Sequence, residues 1–210
     1  NEKKIFADES WHEFRKDYIK NNTNKNSYII FYGDYNYYFE RRLKISEDKI
    51  VEYETHSLFA ERNNINLDYD YRKKLLKNKI KEVLNDISEN KKVILVYPSP
   101  AAPVNILQHI TKKKREISKN TDFYLKDKIN YSKNYYREYY SDIIELFDKI
   151  NLNNVYKIKL EEVFCPQAKC IFYDNENAYI FDTQHPSYEG SKMINNLIME
   201  KINKIEKISN

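Results

Sequence analysis

The chain has 210 residues, enough to bury one core, and its 41% hydrophobic content fits a single globular domain rather than a disordered segment. No apolar run approaches the roughly 20 residues that a membrane-spanning helix requires. The 36 basic and 32 acidic residues leave a net charge of +4 and are interleaved, as in "KKLLKNKIKEVLNDISENKK"; this reads as solvated helix faces and excludes the one-sided cationic stripe of a nucleic-acid binder.

The opening "NEKKIFADES" has no charged-then-apolar signal pattern, so any targeting information is expected upstream of Asn1. "IFADESWHEF" (5–14) reads as a short strand and a helix start, with Ser10 as the helix cap and Trp11 packing in the core as its plain account. "SYIIFYG" (27–33) is short, apolar and ended by glycine, as a buried strand is. Residues 71–89 place Leu75, Leu76, Ile80, Val83, Leu84 and Ile87 near helical spacing. "KKVILVYP" (91–98) is a second buried strand, ended by proline. The weakly patterned 99–130 is expected to be a long excursion over the site. A helix follows over 132–150 with Ile143, Ile144, Phe147 and Ile150 on one face, then a third strand, "NVYKIKL" (154–160). The last helix covers 187–208 and carries Met193, Ile194, Leu197, Ile198 and Ile202.

Strands alternating with helices predict a parallel sheet with helices on both faces, a three-layer α/β/α sandwich. Sites in such sheets form beyond the carboxyl ends of the strands. "YG" after the first strand, "YPSPAAP" after the second and "DTQH" after the apolar "AYIF" are all expected on that edge. The 20 tyrosines suggest a stacking or carbohydrate platform, but joint richness in Lys, Asn, Ile and Tyr is also what an AT-rich coding sequence produces, and that is the simpler account.

The densest group of chemically capable residues is "IFDTQHPSYEG" (180–190). An Asp three residues before a His, in a turn leading into a helix, can hold the imidazole by one nitrogen and leave the other as a general base. Asp182 and His185 would then be two members of a hydrolase or acyl-transfer triad. A helix-capping Asp beside an incidental surface His has the same spacing, and both readings stand. Ser187 reads best as the cap of the last helix, with Gly190 tolerated in its first turn. Cys165 and Cys170 flank "PQAK" and are close enough in sequence to close a small disulfide loop or to stay as two reduced thiols. They are too few for zinc, which takes four ligands, so no metal is expected.

"DTQHPSYEG" resembles the last block of the SGNH (GDSL-type) hydrolases. More specifically, "VFCPQAKCIFYDNENAYIFDTQHPSYEGSKMI" resembles the SGNH domain attached to bacterial membrane acyltransferases of the acyltransferase-3 class, which O-acylate surface polysaccharides. "SYIIFYGDYNYYFE" is similar to that group's central strand and its aromatic exit, and "KKVILVYPSPAAPVNI" to its second strand with a Pro-bearing loop. The resemblance spans residues 27–200 and implies a flavodoxin-like parallel sheet of SGNH hydrolase type. It makes His185 the general base and Asp182 its orienter. It also implies a Cys165–Cys170 disulfide, and hence an oxidising periplasmic setting.

The nucleophile departs from the pattern. The family's serine lies in a Gly-Asp-Ser block, whereas "YGDYN" (32–36) puts Tyr35 where the serine would be. That segment suits the family's oxyanion block better, with Gly33 and Asn36 as donors and the Asn one place late. Ser10 is the alternative nucleophile within the chain. Otherwise residues 1–210 are one SGNH-like domain whose nucleophile-bearing first strand lies before Asn1, or a domain that has lost its nucleophile.

The implied function is O-acylation, in the first place O-acetylation, of a bacterial surface polysaccharide, by the soluble C-terminal part of a larger membrane protein on the periplasmic face of the inner membrane. The implied partners are an upstream membrane acyltransferase domain in the same polypeptide and a surface glycan, with no nucleic acid. No cofactor is expected, the acyl donor arriving through the membrane domain. A stand-alone carbohydrate O-acetylesterase and a nucleophile-less glycan-binding domain are the alternatives.

Overall fold

The computed structural model describes residues 17–19, 21, 24, 27–33, 35, 41–46, 49–54, 69–117, 129–174 and 176–209. Strands β1 (Tyr28–Phe31), β4 (Lys92–Val96) and β5 (Val155–Ile158) form a parallel sheet in the order β1-β4-β5. Between β1 and β4 in the chain, β2 (Arg41–Ser46) and β3 (Lys49–Glu54) pair antiparallel, Arg41 opposite Glu54 and Ser46 opposite Lys49. Val93, Ile94, Leu95 and Val96 of β4 are all fully buried. Successive strand side chains point to opposite faces, so both faces of β4 are covered. This is why "KVILV" is a continuous apolar run and not an alternating one.

The covering elements are α1 (Tyr69–Ser88), α2 (Ile106–Ile117), α3 (Lys133–Tyr139), α4 (Ser141–Lys149), the single turn α5 (Glu161–Phe164) and α6 (Tyr188–Ser209). α1 packs on β4 and α6 on β5. α1 buries Ile80 and Leu84, and α6 buries Ile194, Ile198 and Ile205, each at the spacing of one helical stripe. Among the described residues no helix is long and apolar enough to cross a membrane.

Five elements differ from the sequence expectation. The helix expected over 132–150 is two helices, broken at Tyr140, whose backbone (φ −99°, ψ 12°) ends α3 and begins α4. The Tyr140 ring packs edge-on against Tyr139 and tilted against Tyr136. The excursion over 99–130 contains α2, whose start is capped by the Asn105 side chain accepting the Gln108 N–H at 2.9 Å. Its apolar stripe is short before "KKKRE" takes over, so periodicity alone is weak there. The β2–β3 hairpin and α5 were not anticipated. "AYIF" forms no strand; only isolated bridges pair Tyr173 with Ala178 and Ile180 with Pro186.

The segment leaving β4 carries prolines at 98, 100 and 103, which have no N–H to donate, and its carbonyls turn inward. Tyrosine hydroxyls reach them: Tyr136 donates to Pro98 O and Tyr131 to Ala101 O, both at 2.8 Å, and Tyr35 lies 3.0 Å from Val96 O. Burial pushes the Tyr131 and Tyr136 hydroxyls well above their ordinary range, so both stay neutral donors. Cys165 and Cys170, both fully buried, form a disulfide. Closing so short a loop stabilises by about 2 kcal/mol in the chain-entropy account. The disulfide loop is tied to the start of α3 by Cys170 N–H to Tyr131 O (2.9 Å) and Lys133 N–H to Ala168 O (2.8 Å).

Tyr136→Phe strands the Pro98 carbonyl in the core and should cost about 1–3 kcal/mol with unchanged secondary structure. Urea unfolding followed by circular dichroism measures it, and a cost near zero would mean that the carbonyl finds another donor.

Candidate active site

Asp182 sits in the turn between Ile180 and α6, and its two oxygens do different work. Oδ1 accepts the backbone N–H groups of Gln184 (2.8 Å) and His185 (2.9 Å), which closes the turn on itself. Oδ2 lies 2.7 Å from His185 Nδ1. A carboxylate only accepts, so Nδ1 is the donor in this contact, and in the neutral ring Nε2 is then the acceptor nitrogen. The His185 side chain is 77% exposed, and among the described residues nothing occupies Nε2. Burial alone would raise the Asp182 carboxyl, but the His185 and Gln184 N–H groups and the imidazole outweigh it and take it from the ordinary 3.8 to about 2.

The turn is held from two sides. Ala102 N–H donates to Thr183 O (2.7 Å), and the first two N–H groups of α2, on Ile106 and Leu107, donate to Asp182 O (3.1 Å) and Phe181 O (3.2 Å). Helix N-termini leave such donors unsatisfied, and here the site turn takes them. On the other side Ser187 caps α6: its Oγ accepts the Gly190 N–H at 3.1 Å and donates to Ala178 O. Gly190 is fixed by close approach, since a Cβ there would lie 2.0 Å from the Tyr179 carbonyl oxygen. The cap reading of Ser187 therefore holds, and Gly190 is required where the sequence reading had it merely tolerated.

His185 opens into a cleft of about 180 Å³ lined by Tyr32, Gly33, Tyr35, Pro98, Ser99, Tyr140, Gln184, His185 and Pro186. The three segments expected on the carboxyl edge, "YG", "YPSPAAP" and "DTQH", meet there. Gly33 is in the wall, and a Cβ on it would meet nothing within 4 Å. Tyr35, which stands where a serine would be, is buried with its hydroxyl on strand-end carbonyls and is part of the core. Asn36 and Ser10 lie outside the described residues. Tyr32, Ser99 and Tyr140 were not singled out from sequence. Ser99 had a legible signal, a hydroxyl just beyond a buried parallel strand, whereas Tyr140 reaches the cleft only through the helix break. Among the described residues no group of three or more His, Cys, Asp or Glu is placed to hold a metal ion.

A family model described as the SGNH domain fused to AT3 domains matches residues 5–200. The chain belongs to this family. The parallel sheet with its flanking helices is the SGNH-type α/β fold, and the matched span includes the segment that carries Ser10. No curated protein matches this SGNH domain. Among solved structures it is similar to the periplasmic domain of a lipopolysaccharide acetyltransferase from Salmonella ser. Paratyphi A, at 19% identity and a TM-score of 0.40. That match covers 66% of this chain and 51% of the other, so the SGNH domain described here spans about half the length of that relative.

Two outcomes follow from this geometry. Gly190→Ala forces the start of α6 off the Tyr179 carbonyl and should cost about 1–3 kcal/mol, read as a lowered urea midpoint. Asp182 has a depressed carboxyl, so its contribution to stability is complete at neutral pH and is lost as pH falls from about 4 towards 2. The stability difference between wild type and Asp182→Asn should shrink as pH falls through that acid window; a difference unchanged across it would remove the carboxylate as its source.

Proposed function

We propose that this SGNH domain is the acyl-handling part of an enzyme that O-acylates, in the first place O-acetylates, a bacterial surface polysaccharide. The observation that carries the reading is the Asp182–His185 pair at 2.7 Å in the mouth of a cleft, in a chain whose family is described by its fusion to AT3 domains. In this reading a membrane acyltransferase domain of the same polypeptide supplies the acyl donor, and the SGNH domain needs no cofactor. The disulfide supports an oxidising compartment, and we assign the domain to the periplasmic face of the inner membrane.

The chemistry is that of a serine acyl transfer. A serine Oγ attacks the acyl carbonyl while His185 Nε2 takes its proton; the tetrahedral oxyanion collapses and the leaving oxygen receives that proton. A sugar hydroxyl then attacks the acyl-serine and gives its proton to His185, which passes it to the departing serine Oγ, so that the acyl group ends on the sugar and both the serine and the neutral imidazole are regenerated. Asp182 stays ionised throughout and stabilises the imidazolium. Gly33, at the end of β1, is the proposed backbone donor to the oxyanion, with Asn36 as a second donor. Ser10 and a serine preceding Asn1 are the two candidates for the nucleophile.

The test is intact mass after treatment with a serine-reactive fluorophosphonate, for this chain and for a version extended upstream. Labelling abolished by His185→Ala supports the base assignment, and peptide mapping of the adduct names the serine. In a catalytically active form, His185→Ala should lower the rate by several orders of magnitude, about the loss seen when a triad member is removed. Near-normal activity removes His185 from this role, and no labelling of either form removes the acyl-serine.

A further inference from the structure

We propose that the hydroxyls of Tyr32 and Ser99 form the sugar-binding wall of the cleft and hydrogen-bond one uncharged glycosyl unit beside His185. This rests on the reading above that a glycan is the partner of the reaction, and it names the residues that contact it. Tyr32 follows β1 and Ser99 follows β4, which are neighbours in the sheet, so the two side chains meet at the carboxyl edge with their oxygens 3.2 Å apart. Both line the cleft with His185.

That separation is longer than the usual O–H···O spacing of about 2.7–2.8 Å. The mutual contact is therefore a weak one. Each hydroxyl donates and accepts, which is also what a sugar hydroxyl does, so two adjacent hydroxyls on a pyranose match two adjacent hydroxyls on the wall. The other described lining residues supply aromatic and proline faces from Tyr35, Tyr140, Pro98 and Pro186 and the amide of Gln184. None of the described lining residues is Lys, Arg, Asp or Glu. A phosphate or carboxylate ligand calls for a charged fork; this wall suits a neutral polyol.

Size and rigidity point the same way. Pockets for drug-sized ligands start at about 300 Å³, and 180 Å³ takes a single ring or a short acyl group, not an oligosaccharide. Gly33 is part of the lining, and a Cβ on it would meet nothing within 4 Å. Ser99 stands between Pro98 and Pro100 in the segment pinned by Tyr136 and Tyr131, and Ala102 of the same segment is hydrogen-bonded to Thr183 of the Asp182–His185 turn. The hydroxyl pair and the imidazole thus belong to one cross-linked frame, which lowers the ordering cost of binding.

The probe is a panel of methyl hexopyranosides, free and O-acetylated, observed by saturation-transfer NMR with this chain and titrated for affinity. At least one neutral hexoside should bind, with Ser99→Ala and Tyr32→Phe each weakening it about five- to tenfold, the size of one hydrogen bond. Ser99→Thr, which keeps the hydroxyl, should restore most of the affinity. Wild-type affinity in both hydroxyl-deleting variants overturns the proposal. So does equal loss in Ser99→Thr and Ser99→Ala, or no binding of any panel member to the wild type. The readout needs neither a nucleophile nor an acyl donor. Sugar binding without fluorophosphonate labelling removes the acyl-transfer reading and keeps this one, and labelling without sugar binding does the reverse.

Discussion

A proline-rich segment leaves β4, fully buried on both faces, and has to satisfy its buried carbonyls with few N–H groups of its own. Residues 97–103 cannot make a turn of backbone hydrogen bonds, because three of the seven are proline. A buried carbonyl without a donor costs on the order of 1–3 kcal/mol. Tyr35, Tyr136 and Tyr131 bring phenol hydroxyls from the end of β1, from α3 and from the stretch before it to Val96, Pro98 and Ala101. The parts of the chain that make the site are thereby joined at one place. The disulfide loop hangs on Tyr131 through its backbone, and the Asp182 turn hangs on Ala102.

Seen through this constraint, the tyrosines are more than a trace of coding bias. The bias explains why tyrosine was available. The physical requirement explains its use at 35, 131 and 136: each position needs a large apolar ring to fill the core and one donor at its far end, a combination that phenylalanine and serine each meet only in part. Rings that do not reach the segment still build the core around it, as in the contacts of Phe147 with Tyr35 and Tyr97 and of Tyr131 with Phe172.

The site that results is asymmetric in its rigidity. Asp182 is fixed by two backbone donors, by its imidazole partner and by the start of α2, and one carboxylate both shapes the turn and orients the base. His185 itself stands out towards solvent with Nε2 presented to the cleft mouth. The described lining residues of the cleft carry no Lys, Arg, Asp or Glu, and the chain belongs to a family described by its fusion to AT3 domains.

Much of the fold was legible in the sequence because burial leaves its mark on composition locally. "KVILV" reads as a doubly covered strand, and the stripes at Ile80 and Leu84 and at Ile194 and Ile198 read as helix faces. The same holds for the Asp182–His185 pair and the Ser187 cap, since a three-residue turn brings its own partners together. Three things were not legible. One was the break at Tyr140, which interrupts an otherwise helical apolar pattern; another was α2, whose apolar stripe is too short to announce itself. The third was the meeting of Tyr32 with Ser99, 67 residues away. Sequence by itself determined the buried strands of the parallel sheet, the long helix faces and the turn that pairs Asp182 with His185, because those follow from periodicity and short-range hydrogen bonds. Only the tertiary structure decided that three loop segments share one cleft, that one glycine is locked by a carbonyl while the other borders open space, and that tyrosine hydroxyls hold the frame together. Those depend on which strand ends become neighbours, and contacts across the sheet leave no periodic mark in the chain.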